Sequence, residues 1–89
     1  MISRVTAGFR DDLSRLPPRI RRLAREAYLL FQENPNHPSL KFKKLPPFDD
    51  VWSARITNDY PAIGRREGDM IVWFFIGSHS DYDQLLARL

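Results

Sequence analysis

The sequence predicts an α+β fold: a small antiparallel β-sheet with an N-terminal strand, a two-helix hairpin on one face and a short C-terminal helix. Three observations predict it. Residues 51–82 read as three strands joined by two tight turns. Residues 19–33 place Ile20, Leu23, Ala24, Ala27, Leu30 and Phe31 at helical spacing. Pro17-Pro18 divides that helix from a shorter one before it.

Taken in order, Ile2 to Thr6 holds the β-branched pair Val5-Thr6 and reads as an edge strand. Gly8 to Leu16 brings Phe9, Leu13 and Leu16 onto one helical face. Pro18 opens the next helix, because proline at the first helical position forfeits no hydrogen bond. Asn34-Pro35 ends it. A connector follows with three prolines and the basic run Lys41-Phe42-Lys43-Lys44, whose alternation fits a short strand.

In the sheet, Asn58-Asp59 and Glu67-Gly68 are the expected two-residue turns. They pair Thr57 with Tyr60, Arg66 with Asp69, Gly64 with Ile71 and Ala62 with Trp73. Side chains alternate between faces. One face then collects Trp52, Ala54, Ile56, Pro61, Ile63, Met70, Val72, Phe74 and Ile76, and the helices should cover it. The other collects Arg55, Tyr60, Ala62, Gly64, Arg66, Ile71, Trp73 and Phe75. A slip of one residue exchanges the two faces. Gly77 breaks the last strand, Ser80 is the expected N-cap of the final helix, and Tyr82, Leu85, Leu86 and Leu89 form its apolar stripe.

The 89 residues predict one domain spanning 1–89. The longest apolar run, Met70 to Ile76, is too short to span a bilayer, and Met1-Ile2-Ser3-Arg4 lacks a signal-peptide core. The absence of cysteine removes disulfide and Cys-metal frameworks. A cytoplasmic protein is the expectation. The net charge of +3 is uneven: residues 1–45 carry ten Lys/Arg against four Asp/Glu, and residues 46–89 carry four against seven. A basic half of this kind fits a polyanion or an acidic protein; it also fits an ordinary solvated helix face.

Few residues are candidates for chemistry. His79 stands where the last strand leaves the sheet, and an imidazole with a pKa near 6.5 exchanges protons around neutrality. A plain surface histidine is the alternative. Lys41, Lys43, Lys44, Arg55, Arg65 and Arg66 supply cations for phosphate, and Tyr60 and Trp73 supply flat surfaces for bases. The competing explanation pairs Arg66 with Asp69, and Arg55 with Asp50 or Asp59. Tyr82 is a proton donor, a stacking platform or a core residue. Asp81 and Asp83 are possible bases or helix-capping acids. His37 in N-H-P reads as turn chemistry. No nucleophile triad, phosphate-cradling glycine loop or metal-ligand cluster is legible, so neither a metal nor a cofactor is expected.

Four segments carry a resemblance: L-K-F-K-K-L at 40–45, W-S-A-R-I at 52–56, Y-P-A-I-G-R-R-E-G-D at 60–69 and I-V-W-F-F-I-G-S-H-S-D-Y at 71–82. With the element order they make the chain similar to the RelE/ParE toxin superfamily of bacterial type II toxin–antitoxin modules. The resemblance implies a ribosome-dependent, metal-independent messenger-RNA endonuclease that inhibits translation and is neutralised by a cognate antitoxin. Lys43 and Lys44 match the family's lysines ahead of the sheet. Arg55 resembles its strand arginine, with a loop to Tyr60 one residue longer. His79 matches the basic residue after the final strand, and Tyr82 the C-terminal aromatic, set closer to the histidine. Pro61 stands where an arginine is frequent. The resemblance thus implies Arg55, His79, Tyr82 and Arg66 as catalytic, and Lys41, Lys43, Lys44, Arg65, Tyr60 and Trp73 as RNA-binding. It also admits a ParE-type DNA gyrase inhibitor or a catalytically silent module. An acidic antitoxin segment that folds on binding is expected to neutralise Arg55, Arg66 and the Lys41–Lys44 run.

Overall fold

The computed structural model describes residues 1–89. The elements run β1 (Ile2–Val5), α1 (Ala7–Ser14), α2 (Pro18–Glu33), a 3-10 turn (Pro38–Leu40), β2 (Lys43–Lys44), β3 (Val51–Thr57), β4 (Tyr60–Glu67), β5 (Met70–Ile76) and α3 (His79–Arg88). Five strands form one sheet in the order β1-β5-β4-β3-β2. No helix is long and apolar enough to cross a membrane.

Local chemistry sets the helix ends. Thr6 caps α1, its side-chain oxygen accepting from the Phe9 N–H at 3.0 Å. This leaves an unmatched donor of the first turn satisfied. Pro18 stands in the first turn of α2, as its fixed φ favours. Arg21 donates to the Leu16 carbonyl at 2.7 Å and ties the start of α2 to the link before it. At the far end Ser78, not Ser80, caps α3: its Oγ accepts from the Asp81 N–H at 3.2 Å. Helix α3 therefore begins at His79, two residues earlier than a Ser80 cap allows.

The sheet is antiparallel from β2 to β5, but β1 joins β5 in parallel, Ile2 opposite Met70 and Val5 opposite Trp73. The two-helix hairpin carries the chain from β1 to β2 at the opposite edge, and the chain returns through β3 and β4 to β5, beside β1.

The β4–β5 register differs from the expected one. The turn is Gly68-Asp69, between Glu67 and Met70, rather than Glu67-Gly68. Gly68 has φ +59, the conformation demanded by the first central position of a II′ turn, where glycine belongs. The shift places Arg66 opposite Ile71 and Gly64 opposite Trp73. A bulge between Ile63 and Gly64 then brings Ala62 opposite Ile76. The Asn58-Asp59 turn does join Thr57 to Tyr60, but a second bulge near Ile56 sets Arg55 opposite Pro61 and Ala54 opposite Ala62.

The β3 bulge exchanges the faces of β4 and β5 relative to β3, whereas the two-residue slide of β4 on β5 leaves faces unchanged. Beneath α1 and α2 lie Ala54, Ala62, Ile71, Trp73 and Ile76, with Phe9, Ala24, Phe31 and Leu40 above them and Trp52 and Ile56 at the margin. On β3 the expected face is the observed one. On β4 and β5 the expected core residues Pro61, Ile63, Met70, Val72 and Phe74 give way to Ala62, Ile71 and Trp73, while Ile76 keeps its place. The other side of the sheet is not open: Ile63 and Val51, with Leu45, meet Phe74, Phe75, Tyr82, Leu85 and Leu86 as α3 folds across it. Layers of helix thus cover both sides of the sheet, with the fully buried Ile63 and Ile71 facing opposite ways.

Candidate functional site

The exit from β5 positions the first set of groups. Gly77 lies where an added Cβ would come 2.9 Å from the Phe75 ring and 3.4 Å from Asp81, so the chain turns tightly there. The Ser78 cap then fixes His79 as the first residue of α3. One helical turn later, Asp83 Oδ2 is 3.4 Å from His79 Nδ1, and the Tyr82 ring centre is 5.4 Å from the imidazole centre. The His79 side chain is 61% exposed, which leaves its Nε2 reachable by a ligand. Burial pushes the Tyr82 hydroxyl above its ordinary pKa of 10.0, and the Asp83 charge adds to this. The phenol therefore keeps its proton throughout the neutral range.

The lysines stand at the opposite edge of the sheet. Lys41 holds a left-handed turn, φ 45, at the end of the 3-10 segment. Lys43 and Lys44 make up β2, opposite Ser53 and Trp52 respectively. All three are exposed, and none is ion-paired.

The arginines separate. Arg65 lies on the α3 side, 2.9 Å from Asp50 and 5.6 Å from the Phe74 ring centre. Arg66 lies on the α1–α2 side, with its guanidinium 4.6 Å from the Trp52 ring centre, 5.9 Å from that of Phe42, and Nε donating to the Gly68 carbonyl at 3.2 Å. It makes no pair with Asp69. Arg55 sits at the β3 bulge, donates to Asn58 Oδ1 at 2.8 Å and lines a shallow groove with Leu23, Glu26 and Ala27 of α2. It pairs with neither Asp50 nor Asp59.

Of the expected site residues, His79 and Tyr82 come together, and Asp83 joins them. The i, i+4 spacing of His79 and Asp83 on a helix was the sequence signal for that contact. Tyr60 is half-buried at the start of β4. Trp73 is displaced from the expected surface: it is only 3% exposed, packs edge-on to Phe31 at 5.3 Å, and donates its indole N–H to Ser3 Oγ at 3.0 Å. The bulge between Arg55 and Thr57 is the reason: it turns this face of β4 and β5 to the side of Trp52 and Ala54, under the helices, and an RNA base has no access to the ring. Arg66 shares its face of β4 with Ala62 and Gly64 and so lies on the same side, opposite to that of Ile63 and α3. Trp52 and Phe42, 4.8 Å apart at the sheet margin, are half-exposed instead, and sequence reasoning assigned them no contact with a ligand.

A five-stranded mixed sheet, a helical hairpin on one side, a short helix on the other and a basic residue at the last strand's exit define a toxin of the RelE/ParE superfamily. The family model for the ParE-like toxin domain matches residues 18–84, and the chain belongs to that family. No curated protein matches it by sequence. Among solved structures, the chain is similar to one in the RelB–RelE antitoxin–toxin complex from Methanococcus jannaschii, with 25% identity over 91% of this chain and 96% of that one, and a TM-score of 0.71. It is similar to the toxin–antitoxin complex RelBE2 from Mycobacterium tuberculosis at 25% identity, 88% and 96% coverage and TM-score 0.68. The YoeB/ParE toxin from Agrobacterium tumefaciens shares the fold at 20% identity, 89% and 99% coverage and TM-score 0.69. The chain is thus a toxin of the type found in toxin–antitoxin modules.

Proposed function

We propose that residues 1–89 act as one unit in the cytoplasm, cleaving messenger RNA on the ribosome until a cognate antitoxin binds. The observation that carries this reading is the exposed His79 imidazole, backed by Asp83 on one ring nitrogen and flanked by a phenol that keeps its proton. The Asp83 carboxylate 3.4 Å from Nδ1 favours the proton on that nitrogen, so Nε2 has a lone pair for the proton of a ribose 2′-hydroxyl. The 2′-oxygen attacks the adjacent phosphorus, the bond to the 5′-oxygen breaks, and a 2′,3′-cyclic phosphate forms. Tyr82 protonates the departing 5′-oxygen, and the proton taken up by His79 returns to the phenol through solvent. Lys43, on the same side of the sheet as α3, supplies positive charge for the phosphate strand. Arg55 and Arg66 lie elsewhere and are not assigned to this step.

That dispersal of arginines favours a second reading, inhibition of DNA gyrase through a binding surface without hydrolytic chemistry. Induced expression separates the two. Loss of protein synthesis, with RNA fragments ending in cyclic phosphate, supports cleavage; loss of plasmid supercoiling first supports gyrase. His79→Ala should relieve growth arrest with an unchanged circular dichroism spectrum. Full toxicity in that variant would remove the nuclease reading. Arg55→Ala reports on the α2-side groove: relief of arrest with cleavage intact would mark it as a partner contact.

A further inference from the structure

Strand β2 is a two-residue edge with a cation on each side. Lys43 pairs with Ser53 and Lys44 with Trp52, and consecutive side chains point to opposite faces. Lys43 therefore shares the α3 side with Ile63, and Lys44 shares the α1–α2 side with Trp52. Next to Lys44, the Arg66 guanidinium carbon lies over the Trp52 indole, 4.6 Å from its ring centre, and Phe42 supports the indole from 4.8 Å. No carboxylate lies within 4.0 Å of Arg66, Lys41, Lys43 or Lys44. The guanidinium is held over the ring by its contact with the indole and by its bond to the Gly68 carbonyl.

From this arrangement we propose that Arg66 on Trp52 forms a shelf on which a base of single-stranded RNA stacks, with the strand crossing the β2 edge from Lys44 to Lys43. The proposal rests on the RNA reading above and adds to it a contact on the far side of the sheet from His79. Unpaired bases stack on guanidinium planes as well as on aromatic rings. An indole-backed guanidinium presents a planar cationic face without the entropy loss of ordering a free arginine. An acidic peptide would use the edge donors of Arg66 and gain nothing from the plane. A duplex keeps its bases inside the stack and has no face to offer. The two lysines meet successive phosphates whichever base is present, so the surface selects for single strands more than for sequence.

The test uses the wild-type chain and a single-stranded oligoadenylate of roughly eight nucleotides. Because Trp73 is buried, a saturable fall in tryptophan fluorescence reports Trp52. Arg66→Lys keeps the charge and removes the plane; it should weaken binding about ten-fold by anisotropy of labelled RNA. Lys44→Ala should lower the slope of log affinity against log salt by about 0.7, the value for one single-strand phosphate. Trp52→Leu should abolish the fluorescence change, with circular dichroism confirming the fold. Unchanged affinity in Arg66→Lys overturns the shelf, as does equal affinity for polyglutamate or for an RNA duplex. The two readings fail separately. RNA binding that depends on Arg66, without cleavage on ribosomes, removes the nuclease and keeps the shelf. Cleavage that depends on His79, with binding indifferent to Arg66→Lys, does the reverse.

Discussion

The indole nitrogen of Trp73 donates a 3.0 Å hydrogen bond to the hydroxyl of Ser3, joining β5 to β1 across the parallel pair. Trp73 is otherwise enclosed by apolar side chains, so its N–H has no second acceptor. Ser3→Ala should destabilise the fold by about 1–2 kcal/mol, the cost of leaving a buried donor unmatched. Urea unfolding followed by tryptophan fluorescence measures it, and a change below a few tenths of a kcal/mol would mean that water reaches the indole.

Gly64 lies directly beneath that ring. A Cβ there would be 2.9 Å from Trp73 Cε3 and 2.9 Å from Ile71 Cγ1. Both side chains are buried, with no room to retreat. Gly64→Ala should cost about 1–3 kcal/mol by overpacking. Gly8 makes the contrasting case. It is in the first turn of α1, where a Cβ meets only Thr6 Oγ1 at 3.7 Å. Gly8→Ala should be neutral or stabilise by up to about 1 kcal/mol through helix propensity. Denaturation midpoints of opposite sign for the two alanines are the expected result.

Ser78→Ala removes the side-chain cap of α3 and should cost about 1 kcal/mol. The loss falls on the helix that carries His79, Tyr82 and Asp83, so amide exchange should quicken in residues 79–83 before it does in β5. Uniform acceleration through the sheet would show that α3 and the strands open as one unit.

Asp12 offers a pH test. Burial raises its carboxyl above the ordinary 3.8, against the opposing pull of Arg15 and the Ile76 backbone N–H; Asp11 and Asp81 add to the rise. The folded state holds the proton more tightly than the unfolded chain. Its contribution to stability is therefore complete below 3.8 and lost as pH climbs through the folded value. Asp12→Asn should stabilise the protein near neutrality and lose that advantage in acid. Thermal midpoints at pH 7 and pH 3 read the difference, and an equal shift at both would rule out the carboxylate charge as its cause.

The helices were legible because their signals are local. Pro17-Pro18 and Asn34-Pro35 punctuate α2, and its apolar stripe has one period throughout. The three central strands and the Asn58-Asp59 turn were legible for the same reason. The faces of β4 and β5 were not, because they follow from the bulge between Arg55 and Thr57 on β3, which no residue type announces. That bulge decided which side of β4 and β5 the helices cover. It moved Trp73 from an RNA surface into the core and Arg66 across the sheet, but left His79 and Tyr82 untouched, since both lie beyond the last strand. The Gly-X signature of a II′ turn was present in Gly68-Asp69 and is the clue that would have set which residues of β4 and β5 stand opposite each other, though not which side the helices cover.

The pairing of β1 with β5 also dictates an order of events at synthesis. Helix α1 and the strand before it have no surface to rest on until residues 70–76 have emerged, so the nascent polypeptide stays topologically open through almost all of its production. A toxin assembled this way is born unfinished: its first strand and helix find their seat only once the last strand exists.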